Sequence, residues 1–66
     1  MDVFLNGEPL QLDSPCTIVD LLERQQLAGR RVAVEVNGEI VPRGEHETTA
    51  INPGDRIEVV HALGGG

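Results

Sequence analysis

Two Asn-Gly dipeptides, Asn6-Gly7 and Asn37-Gly38, constrain the fold of this sequence more than any other feature. An Asn-Gly pair tolerates the positive φ values of a tight hairpin turn. The first pair lies between the apolar-rich runs 3–5 and 10–12, and the second ends the alternating run 32–36. We therefore predict a β-hairpin at the start of the chain and a further strand before the second pair. The residues of that strand expected to face the core are Val32, Val34 and Val36.

Residues 17–24 separate these two regions and have the pattern of a short helix. Thr17 can cap the helix, and Asp20 falls in its first turn three residues later. Gly29 is expected to stop the helix before the next strand begins. The apolar residues that share one face of the helix are Ile18, Leu21 and Leu22.

The last third of the sequence alternates between turn signals and strand signals. After the short run 39–41, Pro42 limits strand pairing, and residues 43–52 are predicted to be an irregular surface connection. A turn at 53–55 leads into a final strand, in which Ile57 and Val59 are expected to be buried. Glu58 and Val60 would then point the other way.

These elements predict one α+β domain over residues 1–66, a roll with a mixed sheet of four or five strands and one main helix packed on one face. The preference for right-handed crossovers favours the last strand lying beside the first, near the middle of the sheet. A central last strand would project the following residues from a rigid support.

Composition excludes several classes of function. A net charge of -6 repels nucleic acid and anionic lipid and favours a partner with a basic docking face. Phe4 is the only aromatic residue, so the chain lacks the aromatic side chains on which proteins stack the bases of single-stranded nucleic acid. Cys16, His46 and His61 lack zinc-ligand spacing, and no carboxylate pair argues for acid-base catalysis. We expect a cytoplasmic protein, monomeric when free, with no signal peptide, membrane span, bound cofactor or metal.

The end of the sequence carries the chemical prediction. Gly64-Gly65-Gly66 directly follows an apolar strand. Three glycines add nothing to folding, but a tail without side chains can thread a narrow channel in a partner enzyme. The carboxylate of Gly66 would be the reactive group once an oxygen became a leaving group, as adenylation by ATP would achieve. The alternative is that the glycines are only a frayed end or an expression scar.

The sequence resembles the ThiS family, the sulfur carriers of thiamin thiazole synthesis, which have the ubiquitin-like β-grasp fold. The resemblance covers nearly the whole chain. One departure is His46, where the family pattern favours a large aromatic residue after Pro42-Arg43. The stretches that carry the resemblance are residues 4–7, the helix start at 17–22, residues 34–43, residues 54–58 and the Gly65-Gly66 end.

The resemblance implies which partner enzymes act on the chain and in which order. A ThiF-like enzyme would adenylate Gly66, sulfur from a persulfide supplied by a donor such as a cysteine desulfurase would replace AMP, and the thiocarboxylate would donate sulfur to a ThiG-like thiazole synthase. The chain itself would be a carrier and not an enzyme. It has no glycine-rich phosphate loop of its own. The residues expected to thread into the partner are Leu63, Gly64 and Gly65.

A docking surface is predicted beside this tail. The outward-facing residues of the last strand and of the valine strand would form a small apolar patch rimmed by acid. Cys16 is interpreted as a packed hydrophobe and not a sulfur acceptor, and His61 as a solvated side chain and not a proton shuttle. The residues predicted to dock are Val60, Ala62, Ala33 and Glu35.

Three other functions stay open at this point. The first is the sulfur carrier that forms the small subunit of molybdopterin synthase, although the length and residues 37–43 favour thiamin. The second is a ubiquitin-like protein modifier, which the absence of lysine disfavours mildly. The third is an interaction domain in which the glycines have no role.

Overall fold

The computed structural model describes residues 1–61, which form a five-stranded mixed sheet, a two-stranded sheet and one α-helix. This architecture confirms the predicted α+β roll. The large sheet has the strand order β2-β1-β7-β4-β5. The elements in chain order are β1 (Asp2–Leu5), β2 (Glu8–Gln11), β3 (Cys16–Thr17), α1 (Ile18–Arg24), β4 (Val32–Val36), β5 (Glu39–Val41), a 3-10 turn (Arg43–Glu45), β6 (Ala50–Ile51) and β7 (Arg56–His61).

Both predicted Asn-Gly turns are confirmed. Asn6 and Gly7 have φ values of 51° and 83°, and Asn37 and Gly38 have 53° and 87°. Positive φ at both central residues is the geometry that matches the right-handed twist of the flanking strands. These turns join β1 to β2 and β4 to β5 as antiparallel hairpins.

The helix begins as the sequence predicts. The Asp20 backbone N–H donates to Thr17 Oγ1 at 3.3 Å, and the Thr17 N–H donates to Asp20 Oδ2 at 3.0 Å. This reciprocal capping box satisfies two backbone donors that the first turn leaves unpaired. The predicted inner face is confirmed as well, since the helix residues that are buried are Ile18, Leu21 and Leu22.

The end of the helix differs from the prediction. Helix α1 ends at Arg24, and Gln26, not Gly29, adopts the left-handed conformation that closes it, with φ of 61°. The Gln26 N–H donates to Glu23 O at 3.0 Å and the Leu27 N–H to Leu22 O at 2.7 Å. This pair of bonds is a Schellman motif. Gly29 also has a positive φ, of 78°, but it lies in the turn that follows.

The position of β7 is confirmed. It pairs parallel to β1 on one side and antiparallel to β4 on the other, so it is the central strand of the large sheet. Ile57 is buried and Val59 half-buried, whereas Glu58 and Val60 point outward. The buried side chains pack between the sheet and α1, and they are Val3, Leu12, Cys16, Ile18, Leu21, Leu22, Val34, Ile51 and Ile57. Val32 and Val36 are half-buried and pack against this core, as predicted.

The prediction for residues 43–52 was wrong in part. The segment includes a 3-10 turn, and its strand β6 pairs antiparallel with β3, so that Ile51 lies opposite Cys16 in the core. His46, in the same segment, is buried, with 6% of its surface exposed. Its Nε2 is 3.0 Å from the Val41 carbonyl oxygen, to which it donates as the protonated nitrogen. This bond satisfies the imidazole inside the fold.

Candidate functional site

The candidate site is built on β7 and on its antiparallel neighbour β4. Strand β7 ends at His61, the last residue that the structure describes. Residues 62–66 therefore lie outside the described residues. They comprise the predicted docking residue Ala62, the predicted threading residues Leu63, Gly64 and Gly65, and the predicted attachment residue Gly66. What the structure defines is the strand that directly precedes that segment in the chain.

Two of the predicted docking residues form a pair on the outer face, the face of the large sheet turned away from α1. Val60 on β7 lies directly opposite Ala33 on β4. Val60 is 57% exposed and Ala33 is exposed too. We call this pair the apolar row. It lies one residue before the end of β7, next to the point where the tail begins.

The predicted acidic rim is a second pair on the same face. Glu35 lies opposite Glu58, two residues along each strand from the apolar row and thus about 7 Å from it. We call this pair the acidic row. Like charges directly opposite each other in a sheet are destabilising, so this row is a poor choice for stability. It is a good choice for attracting a cation on a partner surface.

Two large apolar side chains of the outer face were not predicted. Ile40 lies opposite Glu35 on the far side of β4 and is 72% exposed. Phe4 lies opposite Arg56 at the other end of β7 and is 41% exposed. The two-residue turn at Asn37-Gly38 fixes the register of its hairpin. That register pairs Glu35 with Ile40, so the sequence did contain the signal for Ile40.

The start of β7 is held by buried polar contacts. Asp55 is buried, and its Oδ2 accepts a bond from the Asn52 N–H at 2.8 Å. Its Oδ1 accepts from Asn37 Nδ2 at 2.9 Å, while Asn37 Oδ1 accepts from the Arg56 N–H at 2.9 Å. A buried carboxylate needs such partners to offset the loss of hydration. The first residues of β7 are thereby fixed to the β4–β5 turn.

The other titratable residues considered from the sequence belong to different elements of the fold. Cys16 is buried beside the start of α1, with 6% of its surface exposed. His46 is buried below the 3-10 turn, and His61 is exposed at the end of β7. Over residues 1–61 no three His, Cys, Asp or Glu side chains lie together as a metal-binding group. Over the same residues, no helix is long and apolar enough to cross a membrane.

Comparisons with known proteins agree with this geometry. The model of the ThiS family matches residues 3–66. The "Sulfur carrier protein ThiS" of Bacillus subtilis is 38% identical over 63 residues, which cover 94% of this chain and 96% of that protein. The crystal structure of a thiamine biosynthesis protein (ThiS) from Geobacter metallireducens superposes on this chain with a TM-score of 0.87 at 32% identity. The superposition covers 100% of both chains.

A longer relative adds a second kind of information. A "Thiazole synthase" of Paramagnetospirillum magneticum is 39% identical over 66 residues, which are the whole of this chain but only 20% of that protein. The chain thus spans about a fifth of the length of the thiazole synthase that it matches. A domain similar to this one is therefore part of a polypeptide that bears the name of an enzyme.

Proposed function

Since the chain belongs to the ThiS family, we propose that it is a sulfur carrier of thiamin biosynthesis whose cargo is attached at Gly66. The full-length match to a sulfur carrier and to the thiamine biosynthesis structure supports the function. The similarity to part of a thiazole synthase favours the thiamin pathway over the molybdopterin alternative.

The observation that carries this proposal is the central position of β7. Paired with β4 up to His61 and with β1 at its first two residues, and buried through Ile57, β7 is a rigid base for the residues that follow it. The apolar row beside the end of the strand can dock the domain against a partner. Docking and delivery then lie on adjacent parts of one strand, so a partner that holds the domain receives the tail.

The chemistry requires the Gly66 carboxylate to lose an oxygen. A carboxylate oxygen attacks the α-phosphorus of ATP and releases pyrophosphate, which turns that oxygen into part of an AMP leaving group. The terminal sulfur of a persulfide then expels AMP, and a thiol cleaves the resulting S–S bond by exchange. The products are a Gly66 thiocarboxylate and a disulfide. The thiocarboxylate sulfur is a soft nucleophile that can attack a carbonyl or imine of the acceptor.

The partners follow from these steps. An adenylating enzyme of the ThiF type would supply the ATP site, a cysteine desulfurase the persulfide, and a ThiG-type thiazole synthase would accept the sulfur. The carrier would hold neither cofactor nor metal and would be the substrate of these enzymes instead of an enzyme itself. Because ATP and persulfide donors are cytoplasmic reactants, we place the carrier in the cytoplasm.

Intact-mass spectrometry tests the proposal. The chain is incubated with a ThiF-like enzyme, ATP and a persulfide donor, and the expected result is a mass gain equal to one oxygen-for-sulfur exchange. Cys16→Ser should load like the unmodified chain, because the Cys16 thiol is buried. A variant with one alanine added after Gly66 should not load. Failure of the unmodified chain to load with any adenylating partner would contradict the proposal, and loading of the extended variant would show that the reaction does not require the Gly66 carboxylate.

A further inference from the structure

The two sides of β7 are supported to different extents. On the β4 side the pairing extends to His61, which lies opposite Val32. On the β1 side it covers only Phe4 with Arg56 and Leu5 with Ile57. Strand β1 then ends at the Asn6-Gly7 turn. Within residues 1–61, the second half of β7 therefore has no neighbouring strand on the β1 side.

The backbone groups exposed by this gap can be identified from the hydrogen bonds before it. The Phe4 N–H donates to Asp55 O at 2.9 Å, and the Asn6 N–H donates to Ile57 O at 2.8 Å. Because alternate residues of a strand point their backbone groups to the same side, Val59 is the next residue to face β1. Its N–H and carbonyl need partners that β1 no longer provides.

The side chain of Asn6 supplies both partners. Asn6 Oδ1 accepts from the Val59 N–H at 2.9 Å, and Asn6 Nδ2 donates to the Val59 carbonyl at 3.3 Å. One acceptor and one donor are what a residue of a continued β1 would present. Glycine could also adopt the φ of 51° found at Asn6, but it could not make these two bonds.

We propose that Asn6 is a positioning residue for sulfur loading, an inference that rests on the proposed function. Its carboxamide holds the end of β7 in the orientation from which the tail is delivered to the partner. Val59 lies only seven residues before Gly66. If the strand loosens at Val59, an activating enzyme has to order that stretch itself before the carboxylate reaches the nucleotide. Val60 of the apolar row stays paired with Ala33 on β4 when the Asn6 bonds are lost, so we expect the defect mainly in the step after docking.

The second Asn-Gly turn offers a matched control at the other end of the same strand. Asn37 has nearly the same φ, 53°. Its carboxamide also makes two bonds at the start of β7: it accepts from the Arg56 N–H and donates to Oδ1 of Asp55, the residue before the strand. Replacing Asn37 by glycine keeps the turn and removes two bonds, as the same change does at Asn6. The two sites differ in their distance from the tail and in the group that accepts the amide N–H bond, which is the Val59 carbonyl for Asn6 and the buried Asp55 carboxylate for Asn37.

The kinetic experiment compares Asn6→Gly with Asn37→Gly in the full chain. Pyrophosphate release by a ThiF-like enzyme is measured against carrier concentration, at a temperature where both variants are folded by circular dichroism. We expect Asn6→Gly to lower kcat by about threefold to tenfold with KM little changed, because part of the strand must be reordered at each turnover. Asn37→Gly should retain both constants within about twofold. Asn6→Asp, which keeps the acceptor for Val59, should recover part of the loss.

Amide hydrogen exchange measured by NMR tests, without any enzyme, whether Asn6 holds the end of β7. The Val59 amide should exchange faster in Asn6→Gly than in Asn37→Gly, relative to the unmodified chain. Unchanged protection of Val59 in Asn6→Gly would overturn the inference, as would faster exchange without any fall in kcat, or an equal fall in both glycine variants. If the unmodified chain is never adenylated, the proposed function fails, while the exchange measurement still shows whether Asn6 holds the strand.

Discussion

At the scale of single residues, three non-glycine residues among residues 1–61 have positive φ, and the sequence predicts two of them. Asn6 and Asn37 stand before glycines, between apolar runs, where a tight turn is the expected structure. Gln26 gives no such signal, because glutamine has no preference for the left-handed region. Gly29, three residues later, does carry the signal of a helix stop. The tertiary position of Leu27, which packs against the core, sets where the helix has to end.

Because Gln26, and not a glycine, has the left-handed conformation at the end of α1, a substitution at this position should change the stability of the fold. Replacing Gln26 by glycine should raise the free energy of unfolding by about 0.5–1 kcal/mol, since relief of left-handed strain exceeds the extra entropy of the unfolded chain. Urea denaturation measures the change. The control is Gln25→Gly, next to it, where φ is -90° and glycine relieves no strain. That control should be destabilised, and a loss of stability in Gln26→Gly would show that the left-handed turn is not under strain.

At the scale of elements, the strands and the helix with a clear period were predictable and the shortest strands were not. The hairpins and β7 span three to six residues with alternating burial or a defined turn. Strands β3 and β6 have two residues each, too few to show a period of two. Their pairing is a long-range contact between Cys16 and Ile51. His46 was missed for a related reason, because its burial depends on the path of the connection and not on its neighbours.

The capping box of α1 predicts how acid affects the helix. The backbone and hydroxyl bonds from Thr17, helped by the charge of Arg24, lower the pKa of Asp20 below its ordinary 3.8. A carboxyl group with a lowered pKa in the folded state stabilises the fold above its unfolded pKa, and that contribution is lost as the pH falls through the folded value. The stabilisation by Asp20 should therefore be complete at neutral pH and decline below pH 3.8.

Asp20→Asn tests this effect. The difference in unfolding free energy between the unmodified chain and the variant should be constant near neutral pH and should shrink below pH 3.8. Urea denaturation at a series of pH values measures it. Glu23→Gln, an exposed change on the same helix, is the control for loss of one negative charge. A difference that stayed constant into acid would mean that the charge of Asp20 does not contribute to the cap.

At the scale of the whole molecule, the sequence predicted the apolar row and the acidic rim because both follow from strand alternation and a central β7. Phe4 and Ile40 were missed because their exposure depends on which face of the sheet α1 covers and on the register of the neighbouring hairpins. With them, the outer face has apolar contacts on both sides of a charged centre. The acidic row is the part of that face whose presence stability does not explain.

Glu58→Gln should separate the role of the acidic row in docking from its effect on stability. Removing one charge of the Glu35–Glu58 pair relieves cross-strand repulsion, so the free energy of unfolding should rise by about 0.2–1 kcal/mol. The same change should slow association with a ThiF-like enzyme by about twofold to fivefold at low salt, with a smaller difference at high salt, because a charge at the edge of an interface acts mainly on the association rate.

Stopped-flow association over a range of NaCl concentrations, together with urea denaturation, measures both effects of Glu58→Gln. Glu39→Gln is the matched control, since Glu39 is also exposed and carries the same charge but lies opposite Val36 and not within the acidic row. It changes the net charge equally and should leave association closer to that of the unmodified chain. If both variants slowed association alike, net charge alone would explain the effect. If neither variant slowed association, the acidic row would have no part in docking. Another explanation would then be needed for a pair of like charges that destabilises the fold.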